Sequence, residues 1–326
     1  MESGALHIQR LPELRRELLA WYDDHRRDLP WRSTRDPYRI WISEIMLQQT
    51  RVAAVLPRYE KFLERFPTVE KLAAARLSSV LAQWSGLGYY RRARNLHAAA
   101  KVIARQRNSN FPQSSGEWRS LAGIGRYTSA AIASIAFNEP VAVLDGNVER
   151  VLRRLFHRNG SSTQAWHAAQ ELLDRRRPGD FNQAMMELGA TVCLPGEPSC
   201  SRCPITAFCR TRGRGKSPSR KPRQTKTTIS VALATKGDCV LLVQRGSNEG
   251  LMCGMWELPS LSFTIREEEV LFRVRHSITV TDYTVSVVAQ SATAISNGEW
   301  ISRRKAQNLP LTGLTKKILL KANIIQ

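Results

Sequence analysis

The residues of this sequence best suited to chemistry are two carboxylates and a group of cysteines. Glu44 is the single charged residue in the run Trp41-Ile42-Ser43-Glu44-Ile45-Met46-Leu47. A carboxyl shielded by Trp41, Ile45 and Leu47 would lose hydration, so its pKa would rise and it could hold a proton near neutral pH as a general acid. Taken alone, the pattern is also that of a solvated glutamate on a helix face, because charged side chains are mostly exposed.

The second carboxylate, Asp145, follows the apolar stretch Val141-Ala142-Val143-Leu144 and precedes apolar residues at helical spacing. This pattern predicts that Asp145 is the N-cap of a buried helix, and a structural cap requires no further role. The helix dipole and the nearby backbone amides would also hold Asp145 ionised, in contrast to a desolvated Glu44. Two carboxyls whose pKa values differ are what cleavage of a glycosidic bond requires.

Four of the six cysteines follow one another closely, in the pattern Cys193-x6-Cys200-x2-Cys203-x5-Cys209. Such an array indicates ligation rather than free thiols, and four thiolates hold either a tetrahedral zinc ion or a [4Fe-4S] cluster. The spacing alone does not decide between the two.

Length and charge indicate the class of protein and of partner. The 326 residues are enough for two domains, and 49 Lys+Arg against 28 Asp+Glu give a net charge of +21. This excess predicts a polyanionic partner, and nucleic acid is favoured over an anionic membrane surface. The first residues do not resemble a signal peptide and no apolar run has the length of a membrane span, so we expect a cytoplasmic protein, nucleoid-associated if bacterial.

Helices must position the two carboxylates. Asp36 followed by Pro37 predicts the start of the helix that carries Glu44, and this helix should run to about Leu56, just before Pro57. An earlier helix is predicted from Leu11 to His25.

Two glycine-containing segments have the composition of loops that contact DNA. The segment Gly86 to Asn95 sets two tyrosines and three arginines after a tight turn, and thereby offers rings for stacking and cations for phosphate. The segment Leu121 to Thr128 contains Gly123 and Gly125, which let a turn between two helices bring backbone amides close to a phosphate. Each segment could instead be an ordinary packed loop or turn.

The composition changes after the cysteines. Residues 210–226 contain eight basic residues and no acidic ones, which is typical of a linker that contacts phosphates or stays solvated. Alternating apolar residues from Ile229 to Val243 then predict a hairpin, with further strands at Ile278 to Val288 and around Trp300 and a helix near Glu267 to Arg275. The second domain is therefore predicted to be α+β.

Together these motifs resemble the MutY family of adenine DNA glycosylases over nearly the whole chain. The matching segments, in the family's order, are Leu29-Pro30-Trp31-Arg32, Ser43-Glu44 to Gln48-Gln49-Thr50, Gly86 to Tyr90, Gly123 to Thr128, Asp145-Gly146-Asn147-Val148 and the four cysteines. The resemblance implies an all-α helix-hairpin-helix glycosylase domain at 1–209 with a [4Fe-4S] cluster loop at 193–209. It further implies a basic linker at 210–226 and a smaller α+β Nudix-like mismatch-recognition domain at 227–326.

The resemblance also implies the substrate, double-stranded DNA with adenine opposite 8-oxoguanine or guanine, bound by a monomer. Glu44 would protonate the extruded adenine and Asp145 would stabilise the cationic sugar. The other residues that the resemblance assigns are Asn147 and Tyr127 in the same pocket, the cluster ligands Cys193, Cys200, Cys203 and Cys209, the wedge residues Gln49 and Tyr89, and the DNA or base contacts Arg32, Leu47, Thr50, Gly123, Gly125, Ser277 and Thr279.

Three features refine these expectations. Relatives of the endonuclease III type carry a lysine at position 127 that attacks the sugar, so Tyr127 predicts a monofunctional glycosylase without strong lyase activity. Where the family shows Phe-Ser-His, this chain has Ile278-Thr279-Val280, which predicts a weakened preference for 8-oxoguanine; alternatively, His276-Ser277 could serve instead. No intact Nudix hydrolase motif is present, so hydrolysis by the second domain is not expected.

Three other functions compete with this one. A bifunctional glycosylase/lyase acting on damaged pyrimidines is disfavoured by Tyr127 and by the second domain. A thymine glycosylase acting on G:T mismatches shares the tyrosine but is disfavoured by the C-terminal extension. A non-catalytic DNA-binding protein is disfavoured by Glu44 and Asp145 together.

Overall fold

The structure is a computed structural model that describes residues 10–106, 108–156, 161–212, 225–246, 252–262, 265–278, 281–290 and 298–325. Backbone proximity divides the chain into two compact units. The first unit combines Met1–Gln49 with Val102–Arg220, and the second combines Thr50–Lys101 with Lys221–Gln326. Residues 213–224, most of the predicted linker, lie outside the described residues.

The helices, in chain order, are α1 Leu11–His25, α2 Pro37–Leu47, α3 Val52–Arg65, α4 Val69–Ala74, α5 Leu77–Gln83, α6 Arg91–Gln106, α7 Ser115–Arg119, α8 Arg126–Phe137, α9 Gly146–Phe156, α10 Ser162–Leu172, α11 Pro178–Thr191, α12 Arg303–Ala306 and α13 Gly313–Lys321. Short 3-10 turns lie at Pro30–Arg32, Cys200–Arg202, Thr206–Phe208 and Glu267–Glu269. None of the helices among the described residues is long and apolar enough to cross a membrane.

Helix α2 begins where the sequence predicts but ends earlier. Asp36 caps it, since its Oδ1 accepts a hydrogen bond from the amide of Tyr38 at 2.8 Å, and Pro37 is its first residue. The helix ends at Leu47 and not at about Leu56, because Gln49 adopts a left-handed backbone conformation with φ of 53°. Helix α3 then contains Pro57 in its interior. The predicted single helix is therefore two helices.

The core of the first unit surrounds α2 with aromatic and apolar side chains. Trp41 is fully buried, and its ring centroid lies 5.7 Å from that of the buried Trp118. Helix α2 packs against α8, and α11 packs against α1, α8 and α9. This arrangement brings residues from three distant parts of the sequence around the middle of α2.

The strands belong to the second unit. They are β1 Thr225–Leu233, β2 Thr235–Lys236, β3 Cys239–Gln244, β4 Trp256–Glu257, β5 Ser260–Leu261, β6 Val270–Ile278, β7 Thr281–Ala289 and β8 Glu299–Ser302. One sheet has the order β5-β1-β7-β6, in which β1 and β7 are parallel; the other has the order β2-β3-β4, with β8 paired to β3. The buried residues between these strands and α13 include Val231, Val240, Leu242, Val285, Val287, Ile318 and Leu319.

Two predictions for the second domain were wrong in detail. The stretch from Ile229 pairs in parallel with β7 rather than forming a hairpin with β3, and only the short β2 pairs with β3 around the turn at Gly237. The segment predicted as a helix near Glu267 to Arg275 is a 3-10 turn followed by β6. Exposed and buried residues alternate along β6, as at Arg273 and Val274, and this alternation has the period of a strand. The acidic residues that precede β6 obscured this pattern in the sequence.

The contact between α11 and α8 generates a prediction about stability. A Cβ atom at Gly179 would lie 2.6 Å from the carbonyl oxygen of Ser134 and 2.8 Å from Cα of Ile135, both backbone atoms. Gly179→Ala should therefore lower the free energy of unfolding by about 1–3 kcal/mol, measured by urea denaturation. Gly116→Ala in α7 is the matched control, because its Cβ would meet only Ser114 Oγ at 4.0 Å. Equal stability of the two variants would contradict this packing.

Candidate active site

Helix α2 places the carboxyl group of Glu44 in an apolar interior. The residue is 6% exposed, and its Oε2 has no hydrogen-bond partner among the described residues. The pKa of Glu44 is raised from 4.5 to about 7, chiefly by burial; a hydrogen bond with Tyr127 and the charge of Arg32 lower it, and the charge of Asp145 raises it. A carboxyl with this pKa is partly protonated at neutral pH and can donate its proton. The buried setting predicted from the sequence is confirmed.

Tyr127 lies beside Glu44 in the first turn of α8. Its hydroxyl interacts with the Glu44 carboxyl and lies 3.1 Å from Sδ of Met186. Burial raises the pKa of Tyr127 well above the usual value of 10, and the carboxyls of Glu44 and Asp145 raise it further. The phenol therefore stays protonated and acts as a hydrogen-bond donor rather than as a nucleophile.

Asp145 is the N-cap of α9, as the sequence predicts. Its Oδ1 accepts hydrogen bonds from the amides of Asn147 at 3.0 Å and Val148 at 2.8 Å, and its Oδ2 accepts one from Nδ2 of Asn147 at 2.9 Å. Because three N–H groups point at it, the carboxylate is fixed in orientation. Its charge raises the pKa of Glu44, so the two carboxyls interact within one site.

Asn147 is itself held by Arg150, one helical turn later. Nη2 of Arg150 donates to Oδ1 of Asn147 at 2.8 Å and to the carbonyl of Gly189 at 2.6 Å, and its Nε donates to the carbonyl of Cys193 at 2.8 Å. Two side chains therefore connect Asp145 to the start of the cysteine-containing loop.

A second buried glutamate, Glu187 in α11, was not predicted from the sequence. It is fully buried, and Arg27 binds it through Nε and Nη2, both at 2.7 Å, while Nη2 of Arg32 donates to it at 2.7 Å. Burial would raise the pKa of Glu187, but these hydrogen bonds and charges outweigh it and lower the pKa to about 2. Arg32 is therefore fixed by Glu187 while its charge also acts on Glu44.

The four predicted cysteine ligands line one cavity together with Arg154 and apolar side chains of α9 and α11. Nη1 of Arg154 donates to Sγ of Cys193 at 3.3 Å. No group of three or more His, Cys, Asp or Glu side chains in the described parts of the chain is arranged to hold a single metal ion. The four thiols therefore share one cavity.

The predicted hairpin lies between α7 and α8. Gly123 has φ of 77°, a conformation that favours glycine. Gly125 is the N-cap of α8, and its carbonyl oxygen accepts a hydrogen bond from the amide of Ser129 at 3.0 Å. Both glycines are exposed. The backbone amides at the start of α8 are thus accessible to an anion.

The predicted wedge residues are exposed and have left-handed backbones. Gln49 has φ of 53° in the first unit, whereas Leu47 before it is partly buried. In the second unit, Tyr89 has φ of 45° and is 49% exposed. Tyr90, which the sequence also offered for stacking, is instead buried.

The structure describes some of the predicted DNA-contact residues of the second unit but not all of them. Thr279 lies outside the described residues. Ser277 is exposed on β6, and its hydroxyl donates to Oδ1 of Asp282 on β7. Thr50, in the second unit, uses its hydroxyl to donate to the carbonyl of Leu87 at 3.3 Å.

Comparison with known proteins finds similarity to base excision repair proteins. Residues 42–175 match the model of the HhH-GPD superfamily of base excision DNA repair proteins. The adenine DNA glycosylase of Rattus norvegicus is 39% identical over 311 residues, which cover 76% of this chain and 60% of the relative. The chain is thus similar to adenine DNA glycosylases of the MutY type. It spans about 60% of the length of the curated relatives that it matches first.

Solved structures agree on the fold of the helical part. A thermostable thymine-DNA glycosylase is 29% identical, with a TM-score of 0.60 over 64% of this chain and 98% of that one. A trapped endonuclease III–DNA covalent intermediate is 23% identical, with a TM-score of 0.55 over 63% of this chain and 96% of that one. The helical part of the chain therefore has the helix-hairpin-helix glycosylase fold, and a smaller strand-containing domain follows it, as the sequence predicts.

The signal for Glu187 was present in the sequence. Like Glu44, it is the lone charged residue of an apolar run, Ala184-Met185-Met186-Glu187-Leu188-Gly189. What the sequence does not show is that its partners, Arg27 and Arg32, are 160 and 155 residues away.

Burial of Glu44 generates a prediction about stability and pH. Because its folded pKa of about 7 exceeds the ordinary value of 4.5, the folded state binds the extra proton, and stability is lost as pH rises from about 4.5 through 7. Glu44→Gln lacks this penalty. The free energy of unfolding of Glu44→Gln, relative to that of wild type, should therefore rise by roughly 1–3 kcal/mol from pH 5 to pH 8, measured by urea denaturation at both values.

Glu64→Gln, at an exposed position of α3, controls for the loss of one negative charge. If Glu44→Gln showed the same stability difference from wild type at pH 5 and at pH 8, the carboxyl would not be desolvated as described.

Proposed function

We propose that this chain is a monofunctional adenine DNA glycosylase of base excision repair, which hydrolyses the N-glycosidic bond of adenine paired with 8-oxoguanine or guanine. The observation that carries the proposal is the pair formed by Glu44 and Asp145. One carboxyl is desolvated with its pKa raised to about 7, and the other is fixed in orientation by three N–H donors. Glycosidic cleavage needs an acid and an anion of this kind.

In this mechanism Glu44 donates its proton to a ring nitrogen of the extruded adenine. The bond between C1′ and the base then breaks, and its electron pair leaves with adenine. The positive charge that develops on the sugar is stabilised by Asp145, whose carboxylate cannot rotate away because Asn147 and Val148 hold it. Water adds to C1′, and its proton returns to the Glu44 carboxylate.

Glu187 and Arg32 fit the recognition of a base beside Glu44. Arg32 is held by Glu187 at 2.7 Å, and its side chain is 10% exposed. Its remaining N–H groups are donors for the acceptor nitrogens of a purine. Tyr127 supplies a hydroxyl rather than an amine at the position where a lyase needs a nucleophile, which supports hydrolysis without strand cleavage.

The DNA itself would be held by charge and by the hairpin. The net charge of +21 favours a polyanion, and the amides at the start of α8 suit a phosphate. Extrusion of a base costs a few kcal/mol, which these contacts and the wedge residues Gln49 and Tyr89 would offset.

We also propose that the preference for 8-oxoguanine over guanine is weaker than in typical relatives. The chain has Ile278-Thr279-Val280 in place of an aromatic residue, a serine and a histidine. Ser277, the alternative hydroxyl, already donates to Asp282. Fewer groups are therefore free to read the oxidised base.

A [4Fe-4S] cluster is the cofactor that the resemblance to MutY-type glycosylases implies for the cysteine cavity. The four thiols line one cavity with apolar side chains, and four closely spaced thiolates can hold such a cluster. Cys193, Cys200, Cys203 and Cys209 would hold the cluster, and Arg154 would donate to the sulfur of Cys193. When bound, the cluster would cross-link the loop from 193 to 209.

The cofactor proposal predicts iron and not zinc. Protein purified without oxygen should be yellow-brown, and elemental analysis should find about four iron atoms per chain. Cys200→Ser should lower the iron content, whereas Cys239→Ser, outside the cavity, should leave it unchanged. Stoichiometric zinc in place of iron would overturn the assignment.

Single-turnover excision tests the proposed activity. Duplexes with A opposite 8-oxoguanine, A opposite G and T opposite G should be compared, each with and without alkali. Adenine should be released from the first two, with strand breaks only after alkali. Activity should fall as pH rises through about 7, because Glu44 then loses the proton that it must donate. Glu44→Gln should still bind the mismatch and should slow excision by roughly 10²-fold or more.

The competing functions give different results in the same assay. Excision of T opposite G would favour a thymine glycosylase, the second candidate, which the structural similarity at a TM-score of 0.60 supports. Trapping of a covalent DNA complex by borohydride would show lyase chemistry. Glu64→Gln serves as the control for charge, and excision by Glu44→Gln at the wild-type rate would rule out the general-acid role.

A further inference from the structure

The turn that presents Tyr89 has a strained backbone. Gly86, Gly88 and Tyr89 all have positive φ values, of 88°, 69° and 45°. Glycine adopts such values at little cost, but for tyrosine the left-handed conformation is unfavourable. Strained residues of this kind persist only where the surrounding structure fixes them. Some group in the second unit must therefore hold the turn.

Arg92 at the start of α6 is such a group. Its Nη2 donates to the carbonyls of Leu87 at 2.9 Å and Gly88 at 3.1 Å, and to Oγ1 of Thr50 at 3.0 Å. Its backbone amide donates to the carbonyl of Tyr89 at 2.9 Å. Arg92 thus binds the carbonyls of three successive residues of the turn.

The guanidinium also lies close to two aromatic rings. Its central carbon is 5.4 Å from the centroid of Trp84 and 5.7 Å from that of Tyr89. Trp84 is fully buried, whereas Tyr89 is 49% exposed. Both distances are within the range of cation–π attraction, so Arg92 joins the exposed ring to the core of its unit.

Arg92 is poorly placed to act on DNA directly. It is only 9% exposed, whereas its neighbour Arg91 is exposed. Burial lowers the pKa of Arg92 to about 10, because loss of hydration disfavours the charged form. An arginine that binds phosphate at the surface is not desolvated in this way. A buried cation that binds the carbonyls of a turn acts on the shape of that turn.

We propose that Arg92 is a positioning residue for Tyr89. It fixes the turn from Gly86 to Tyr89 so that the tyrosine ring is already oriented when it enters the duplex, which lowers the ordering cost of base extrusion. The inference rests on the proposed function, because the ring needs a duplex to enter. Arg92 differs from the residues of the active-site pocket in that it contacts no reacting group.

A double-mutant cycle tests whether Arg92 acts through Tyr89. Arg92→Met and Tyr89→Ala should each slow single-turnover excision from the A:8-oxoguanine duplex by about tenfold or more at saturating enzyme. The double variant should be no slower than the slower single variant, because both changes remove the same wedge. If the two effects multiply, Arg92 acts independently of Tyr89 and the proposal is wrong.

A fluorescence readout separates positioning from general loss of structure. In the Glu44→Gln background, 2-aminopurine beside the mismatch should brighten when the duplex is bound, and Arg92→Met should reduce this signal. Arg65→Met removes the same charge at the exposed end of α3, away from the turn, and should leave the signal intact. An unchanged signal in Arg92→Met would refute the proposal. Thermal unfolding confirms that each variant is folded.

Arg92→Lys keeps the charge but lacks the planar fork that reaches several carbonyls, so it should restore only part of the excision rate and signal. If Arg92→Met does not fold, the cycle is carried out with Arg92→Lys. If wild type excises adenine from no duplex, the proposed function fails. The fluorescence comparison then still decides whether Arg92 positions the ring in bound DNA.

Discussion

The site depends most on the fact that, of its two buried glutamates, Glu187 is bound directly by arginines and Glu44 is not. Arg32 donates to Glu187 at 2.7 Å and acts on Glu44 only through its charge. Because Arg27 also binds Glu187, that carboxyl has a pKa of about 2, while Glu44 has one of about 7. A direct ion pair between Arg32 and Glu44 would keep Glu44 ionised and remove its proton. Glu44 can keep its proton because the arginines bind Glu187 instead.

Helix α11 makes this division possible. It carries Glu187 together with Met186, whose sulfur contacts Tyr127, and two glycines that let the neighbouring helices approach. A Cβ atom at Gly189 would lie 2.6 Å from Cβ of Asn147, the residue that holds Asp145. Close packing of α11 against α8 and α9 therefore sets the positions of acid and carboxylate together, and a side chain at either glycine would move them apart.

Much of the site could be predicted because its signals are local. A lone acid in an apolar run indicates a desolvated carboxyl, an aspartate before apolar residues at helical spacing indicates a cap, and closely spaced cysteines indicate ligation. Glu187 carries the same signal as Glu44, but its state depends on arginines more than 150 residues away, which no local pattern shows. The break after Leu47 was missed because Gln49 adopts a conformation that its side chain does not favour. The parallel pairing of β1 with β7 joins strands about 55 residues apart, beyond the reach of turn signals.

The two residues expected to enter DNA share a property that fold stability does not explain. Gln49 and Tyr89 both have left-handed backbones and exposed side chains, although each conformation costs of order 1–3 kcal/mol for a residue that is not glycine. Replacement by glycine would relieve the strain but would remove the side chain. The strain is understandable if the side chains themselves are needed at the tips of their turns. In the case of Tyr89, the buried guanidinium of Arg92 holds the turn through hydrogen bonds and lies close to the tyrosine ring. This arrangement is expected of a ring that must be oriented before the duplex binds.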